Sequence, residues 1–143
     1  MSLQTKSQEK TDSLKLNTKL LMVSSALFLG LLGILGSFIP QEVAGYFGTS
    51  VEAKGTLLIK LTGSLYLGFA VLNWMARGNL IGGIYSRPVA LGNFFHFVLS
   101  AILLLEFLIT NSILVSFAIG AGIYTIFATC FGYILFSGGK SCS

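Results

Sequence analysis

The 143-residue chain is 54% apolar and only 10% charged, whereas an ordinary soluble domain carries roughly 25% charged residues. A water-soluble protein of this length could not bury so much apolar surface, so we expect one domain that lies mostly in lipid. The net charge of +4 is small and spread along the chain, which argues against a nucleic-acid partner.

The N-terminal residues 1–18 are predicted to form a disordered cytosolic tail, because residues 1–13 are polar and have no periodic apolar face. The first apolar run, at about 20–39, contains no charge and stops at Pro40. It has the roughly 20 residues that a helix needs to cross the hydrocarbon core. This run is longer than the apolar part of a signal peptide, and no A-x-A site follows it. We therefore expect it to remain as a membrane helix.

Residues 40–48 are too few to span the membrane, and their aromatic side chains favour a helical turn at the outer interface. The next residues, 49–52 (TSVE), have the pattern of a capping box. Such a box predicts that the second long helix begins before its apolar part. That helix is predicted over about 56–77, with Lys60 inside it.

The third predicted helix covers about 88–110 and follows Ser86, Arg87 and Pro88, which supply a cap and a first-turn proline. The fourth, at 112–136, is uncharged, and residues 138–143 form a cytosolic tail. The connection between these two helices is so short that they must form an antiparallel hairpin. Strands are disfavoured because the apolar runs show no sustained alternation. The prediction is an all-α fold, a four-transmembrane-helix bundle over residues 19–137.

The distribution of lysine and arginine predicts the orientation. Positive residues stay on the cytoplasmic side of a membrane, which places both termini in the cytoplasm of a cell whose inner (plasma) membrane holds the chain. Seven of the nine basic residues fall on this side: Lys6, Lys10, Lys15, Lys19, Arg77, Arg87 and Lys140.

Small residues spaced by four positions predict where the helices touch, because they let backbones approach closely. Packing within one chain is the first interpretation, and a homo-oligomer seam along the fourth helix is the alternative. The pairs are Ala26/Gly30, Gly33/Ser37, Ser64/Gly68, Ser116/Gly120, Ala118/Gly122 and Ala128/Gly132.

Polar side chains follow one face of the second helix and one face of the third. Polar groups are costly in lipid, so these should point inward and meet one another. The functional interpretation is a ligand pocket, in which a lone histidine could also relay a proton. The alternative is an interhelical hydrogen-bond network. The four residues of the predicted pocket are Tyr66, Asn73, Asn93 and His96.

Lys60 and Glu106 lie at the same predicted depth on adjacent helices. An intramembrane ion pair is the least costly arrangement for two such charges. The alternatives are that Lys60 reaches up to the interface, or that Glu106 has a proton- or ion-coupled role.

Metal and cofactor chemistry is not predicted. Cys130 and Cys142 form no C-x-x-C pair, and His96 is the only histidine. No cluster of acidic, histidine and cysteine residues has the spacing of a metal site. An enzyme is disfavoured as well, because no nucleophile lies at workable spacing from a base.

The stretches 63–74 (GSLYLGFAVLNW) and 87–93 (RPVALGN), with Pro40 and Gly48, resemble the DoxX-like group of small four-helix bacterial inner-membrane proteins. The likeness covers residues 20–136. It implies a four-helix bundle and, for some members, association with redox complexes. Because the chain has no thiol pair or haem-ligand pattern, only the architecture is carried over.

Two functions of different kinds fit this sequence. The first is to bind or move a small or lipidic ligand through the polar faces of the second and third helices. The alternative is an accessory or structural subunit of a larger membrane complex, which uses its glycine-rich faces for docking.

Overall fold

The computed structural model describes residues 2–48, 50–78, 87–110 and 115–137. Throughout these ranges the chain is helical or irregular and contains no strand, which confirms the all-α prediction. The helices are α1 (Ser2–Phe38), α2 (Pro40–Tyr46), α3 (Ala53–Ala76), α4 (Arg87–Thr110) and α5 (Val115–Ser137).

Four of these helices are long and apolar enough to cross a membrane, since roughly 20 apolar residues suffice. The chain is therefore a multi-pass integral membrane protein. The crossing segments agree with the four predicted ones, except that residues 112–114 lie outside the described residues. They are Thr18–Phe38, Ala53–Ala76, Arg87–Thr110 and Val115–Phe136.

In the structure α1 begins at Ser2 and continues unbroken through the residues predicted to form a cytosolic tail. About half of residues 2–18 are lysine, glutamine, leucine or glutamate, which are good helix formers. Extending a helix that already exists also avoids the cost of nucleation. The segment has too few apolar residues to form a packing face, but its residues can still continue an existing helix.

The second long helix begins before its apolar part, as predicted, because α3 begins at Ala53. Glu52 is itself the N-cap residue, in an extended conformation and without a side-chain cap hydrogen bond. Thr49, the first residue of the predicted box, lies outside the described residues. The helical turn expected over 40–48 is confirmed as α2. It begins at Pro40, as suits a residue with a fixed φ and no N–H to satisfy.

The chain forms two compact units, one of residues 22–77 and one of residues 1–21 with 78–143. In the unit 22–77, α1 and α3 are antiparallel and their backbones lie in near contact. A Cβ atom added to Gly63 would lie 2.6 Å from the Ser37 nitrogen, and one added to Gly33 would lie 2.8 Å from the Leu67 nitrogen. The predicted Gly33/Ser37 pair is therefore part of the packing surface of α1.

On α3, Gly63 packs against α1, whereas the predicted pair of Ser64 and Gly68 does not. Both members of that pair are exposed, and a Cβ atom on Gly68 would meet nothing within 4 Å. One position along a helix turns a side chain by about 100°. A row that is one residue out of register therefore faces away from α1.

In the other unit, α4 and α5 pack along their whole length as the predicted antiparallel hairpin. Phe107 lies beside Phe117 near one end, with ring centroids 4.9 Å apart, and Phe94 lies 6.1 Å from Phe136 near the other. Here aromatic rings, rather than bare backbone, fill the contact. The connection itself, residues 111–114, lies outside the described residues.

Candidate functional site

The four predicted pocket residues belong to different units of the chain. Tyr66 and Asn73 lie on α3 in the unit 22–77, and Asn93 and His96 lie on α4 in the other unit. Within each unit, the two residues of the pair have different surroundings. The assembly of all four residues into one pocket stays a prediction.

Asn73 joins α3 to α1 through a buried hydrogen-bond chain. Its Nδ2 donates to Ser25 Oγ at 3.0 Å, and Ser25 Oγ donates to the carbonyl oxygen of Met22 at 3.0 Å. All three residues are fully buried. This arrangement favours the interhelical network for Asn73 over a role in ligand binding. The sequence interpretation missed Ser25, because it sought partners for Asn73 on the third helix alone.

Asn93 is also fully buried, and its Nδ2 donates to the carbonyl oxygen of Val89 in the preceding turn of α4 at 2.8 Å. His96 lies in an aromatic cluster between α4 and α5. Its ring centroid is 5.2 Å from that of Phe97 and 5.9 Å from that of Tyr124. The aromatic residue on α5 was missed because Tyr124 was not among the polar residues considered.

Tyr66 contributes to a different feature, a groove formed by α1, α2 and α3, which we call the α2 groove. Its volume is about 600 Å³. It forms because α1 ends at Phe38 and Pro40 starts a new, short helix, so that α2 lies over the neighbouring turns of α1 and α3. The lining residues are Leu32, Leu35, Gly36, Ile39, Glu42, Val43, Tyr46, Phe47, Leu58, Ile59, Thr62, Gly63 and Tyr66.

The polar atoms of the α2 groove come from four side chains. Thr62 donates its hydroxyl hydrogen to the carbonyl oxygen of Leu58 at 2.9 Å, which leaves its oxygen as an acceptor only. Tyr46 and Tyr66 supply phenolic hydroxyls, and Glu42 supplies the only charged group among the described residues of the lining. The sequence interpretation missed Glu42. The sequence signal that could have indicated it is an acidic residue four positions before the aromatic pair Tyr46 and Phe47.

Comparison with protein-family models, with curated proteins and with solved structures finds no match.

The α2 groove can hold an amphiphile of modest size. Its walls are mostly leucine, isoleucine, valine and aromatic side chains, and its polar groups are few. Ligand sites typically combine about 300–1,000 Å³ of mostly apolar volume with a small number of polar groups that orient the ligand. Both properties are present here.

The predicted ion pair of Lys60 and Glu106 stays a prediction, because the two residues belong to different units. Both side chains are exposed. Cys130 is an exposed, free cysteine, and Cys142 lies outside the described residues. Across the described ranges, no three acidic, histidine or cysteine residues are grouped as metal ligands.

At the end of α3 far from the groove, Arg77 stacks on Trp74. The Arg77 guanidinium carbon lies 4.1 Å from the centroid of the Trp74 ring, and Arg77 Nη1 donates to the carbonyl oxygen of Trp74 at 2.6 Å. A cation over an indole face is attracted to it, and the hydrogen bond satisfies a carbonyl group at the helix end.

Proposed function

We propose that this membrane protein binds or moves a small or lipidic ligand, and that the ligand occupies the α2 groove. The observation that carries the proposal is the groove of about 600 Å³ at Tyr66, which is one of the predicted ligand residues. The predicted contribution from the polar face of the third helix stays a prediction, because α4 belongs to the other unit of the chain.

Selection by the groove depends on its polar groups and its shape. Lipid tails are as apolar as a leucine side chain, so apolar contact alone gains little for a ligand that enters from the bilayer. A polar atom of the ligand, in contrast, finds few partners among lipid tails. The hydroxyl groups of Thr62 and Tyr66 and the carboxylate of Glu42 supply such partners.

The setting of this activity is part of the proposal. The charge distribution supports an inner (plasma) membrane location with both termini cytoplasmic, which puts α2 and the groove in the outer half of the membrane. The residues quoted for the DoxX-like resemblance support that architecture for the chain.

Photolabelling tests the proposal. The probe is a fatty alcohol that carries a diazirine, with the full chain in nanodiscs of phosphatidylcholine. Labelling should concentrate on the lining residues of α1, α2 and α3. Thr62→Trp should fill the groove and lower labelling about tenfold, equivalent to ~1.4 kcal/mol of binding.

Ser64→Trp is the matched control, because Ser64 is exposed on the same helix, lies outside the groove lining and donates to Leu61 as Thr62 donates to Leu58. Its labelling should equal that of the wild type. Uniform labelling of all lipid-facing residues, unchanged by Thr62→Trp, would remove the groove as a binding site.

An accessory subunit of a larger membrane complex is the second proposal, and the open small residues of α5 favour it. Ala118 and Gly122 are exposed, and a Cβ atom on Gly122 would meet nothing within 4 Å. If this face docks on a partner, Gly122→Leu should release a co-purifying subunit in mild detergent. A wild-type chain that is a clean monomer there would contradict this proposal.

A further inference from the structure

We propose that the α2 groove selects lipophilic organic cations, with Glu42 as the counter-charge and Tyr46, Phe47 and Tyr66 as aromatic walls. This inference names the ligand class of the site described above and rests on the proposed function.

The charge of the groove is negative. Glu42 is the only charged residue among the described residues of the lining, and its side chain is exposed at the edge of the groove. A carboxylate with an apolar wall on one side is screened less than one surrounded by water on all sides. The basic residues of α3, Lys54 and Lys60, are exposed and do not line the groove. A cation is therefore attracted there and an anionic amphiphile is repelled.

The aromatic side chains supply a second attraction for a cation. The rings of Tyr46 and Phe47 meet edge to face, with centroids 5.2 Å apart and planes at 81°, and both residues line the groove. Tyr66 adds a third ring from α3. The negative face of an aromatic ring attracts an organic cation, by about 0.5–2 kcal/mol per contact. Quaternary ammonium groups are recognised in this way.

The remaining walls exclude a small inorganic ion. A metal ion such as Ca²⁺ needs about 6–8 oxygen ligands in place of its water shell, and the lining offers one carboxylate with three hydroxyl groups among leucine, isoleucine and valine. An organic cation with a quaternary or delocalised charge sheds water more readily and also fills apolar volume. The α2 groove suits this class.

Two ions of nearly equal size and opposite charge test the inference: tetraphenylphosphonium and tetraphenylborate. Their binding to the full chain would be measured by equilibrium dialysis in an uncharged maltoside detergent. Tetraphenylphosphonium should bind saturably, and tetraphenylborate about tenfold more weakly or not at all. Glu42→Gln should weaken tetraphenylphosphonium binding about tenfold, which corresponds to ~1.4 kcal/mol.

Glu52→Gln is the control for a charge lost elsewhere, because Glu52 is exposed at the start of α3 and outside the groove lining. It should bind tetraphenylphosphonium as the wild type does. Unchanged helical circular dichroism in Glu42→Gln would show that any lost affinity is not lost folding.

The outcomes separate this inference from the proposed function. Equal affinity for both ions, or equal binding by Glu42→Gln and Glu52→Gln, would overturn cation selection. If the fatty alcohol still labels the groove in a Thr62-dependent manner in that case, the proposed function stands. If Thr62→Trp changes the binding of no probe, both proposals fall.

Discussion

Asn73 illustrates how one amide connects two membrane helices. Replacement by alanine removes its bond to Ser25 Oγ, and interhelical hydrogen bonds of this kind average ~0.6 kcal/mol and reach about 1.7 kcal/mol. We expect Asn73→Ala to lower the free energy of unfolding in detergent by about 1–2 kcal/mol, since a small cavity adds to the lost bond. A double-mutant cycle with Ser25→Ala measures the bond itself, and strictly additive losses would contradict the interaction.

Gly63 and Gly68 form a matched pair on α3. Gly63→Ala would place its Cβ atom 2.6 Å from the Ser37 nitrogen. Because this nitrogen belongs to the backbone of α1, the overlap is relieved only if α1 and α3 move apart. We expect a loss of about 1–3 kcal/mol of unfolding free energy. Gly68→Ala meets open space and should gain up to ~1 kcal/mol from helix propensity. Thermal unfolding of both variants in one detergent checks this, and similar melting temperatures would contradict it.

The individual contacts of these residues were only partly predictable from the sequence. An asparagine in an apolar helix requires a partner, and this requirement was visible. The identity of Ser25 was not, because it depends on the register between α1 and α3, which the contact of Gly33 with Leu67 determines. Glu42 was missed because the groove around it exists only after α2 folds back beside α3.

At the scale of elements, the α4–α5 hairpin can be tested by cross-linking. In a chain with Cys130→Ser and Cys142→Ser, cysteines introduced at Phe107 and Phe117 should be joined by a short bifunctional maleimide, because these rings lie 4.9 Å apart. The control pair places cysteines at Phe94 and Phe117. These positions are separated by about 20 Å of helix rise, so efficient cross-linking of the control would contradict the antiparallel register.

The lengths of the membrane helices were predictable, whereas several of their ends were not. The apolar runs predicted the crossing helices because the thickness of the hydrocarbon core imposes a minimum length. The N-terminal start of α1 and the beginning of α3 depend on polar residues near water, where capping and propensity differ by only about 1 kcal/mol. Because these free-energy differences are small, the residue at which a helix begins could not be predicted from the sequence.

At the scale of the whole molecule, the orientation stays a prediction that labelling can check. Single cysteines would replace Glu52 and Gly78, which are both exposed and lie on either side of α3, in a background without Cys130 and Cys142. A maleimide that cannot cross membranes, added to intact cells, should label Glu52→Cys and not Gly78→Cys. The reverse pattern would place both termini outside and contradict the charge-based orientation.

Trp74, on which Arg77 stacks, can serve as a spectroscopic probe of the end of α3. Trp74 is the only tryptophan of the chain, and it is absent from the lining of the α2 groove. The tryptophan fluorescence of the unaltered protein therefore arises from one position, in the last turn of α3. Quenching by lipids brominated at known carbon atoms would measure the depth of this indole in the bilayer, and so the depth at which α3 ends.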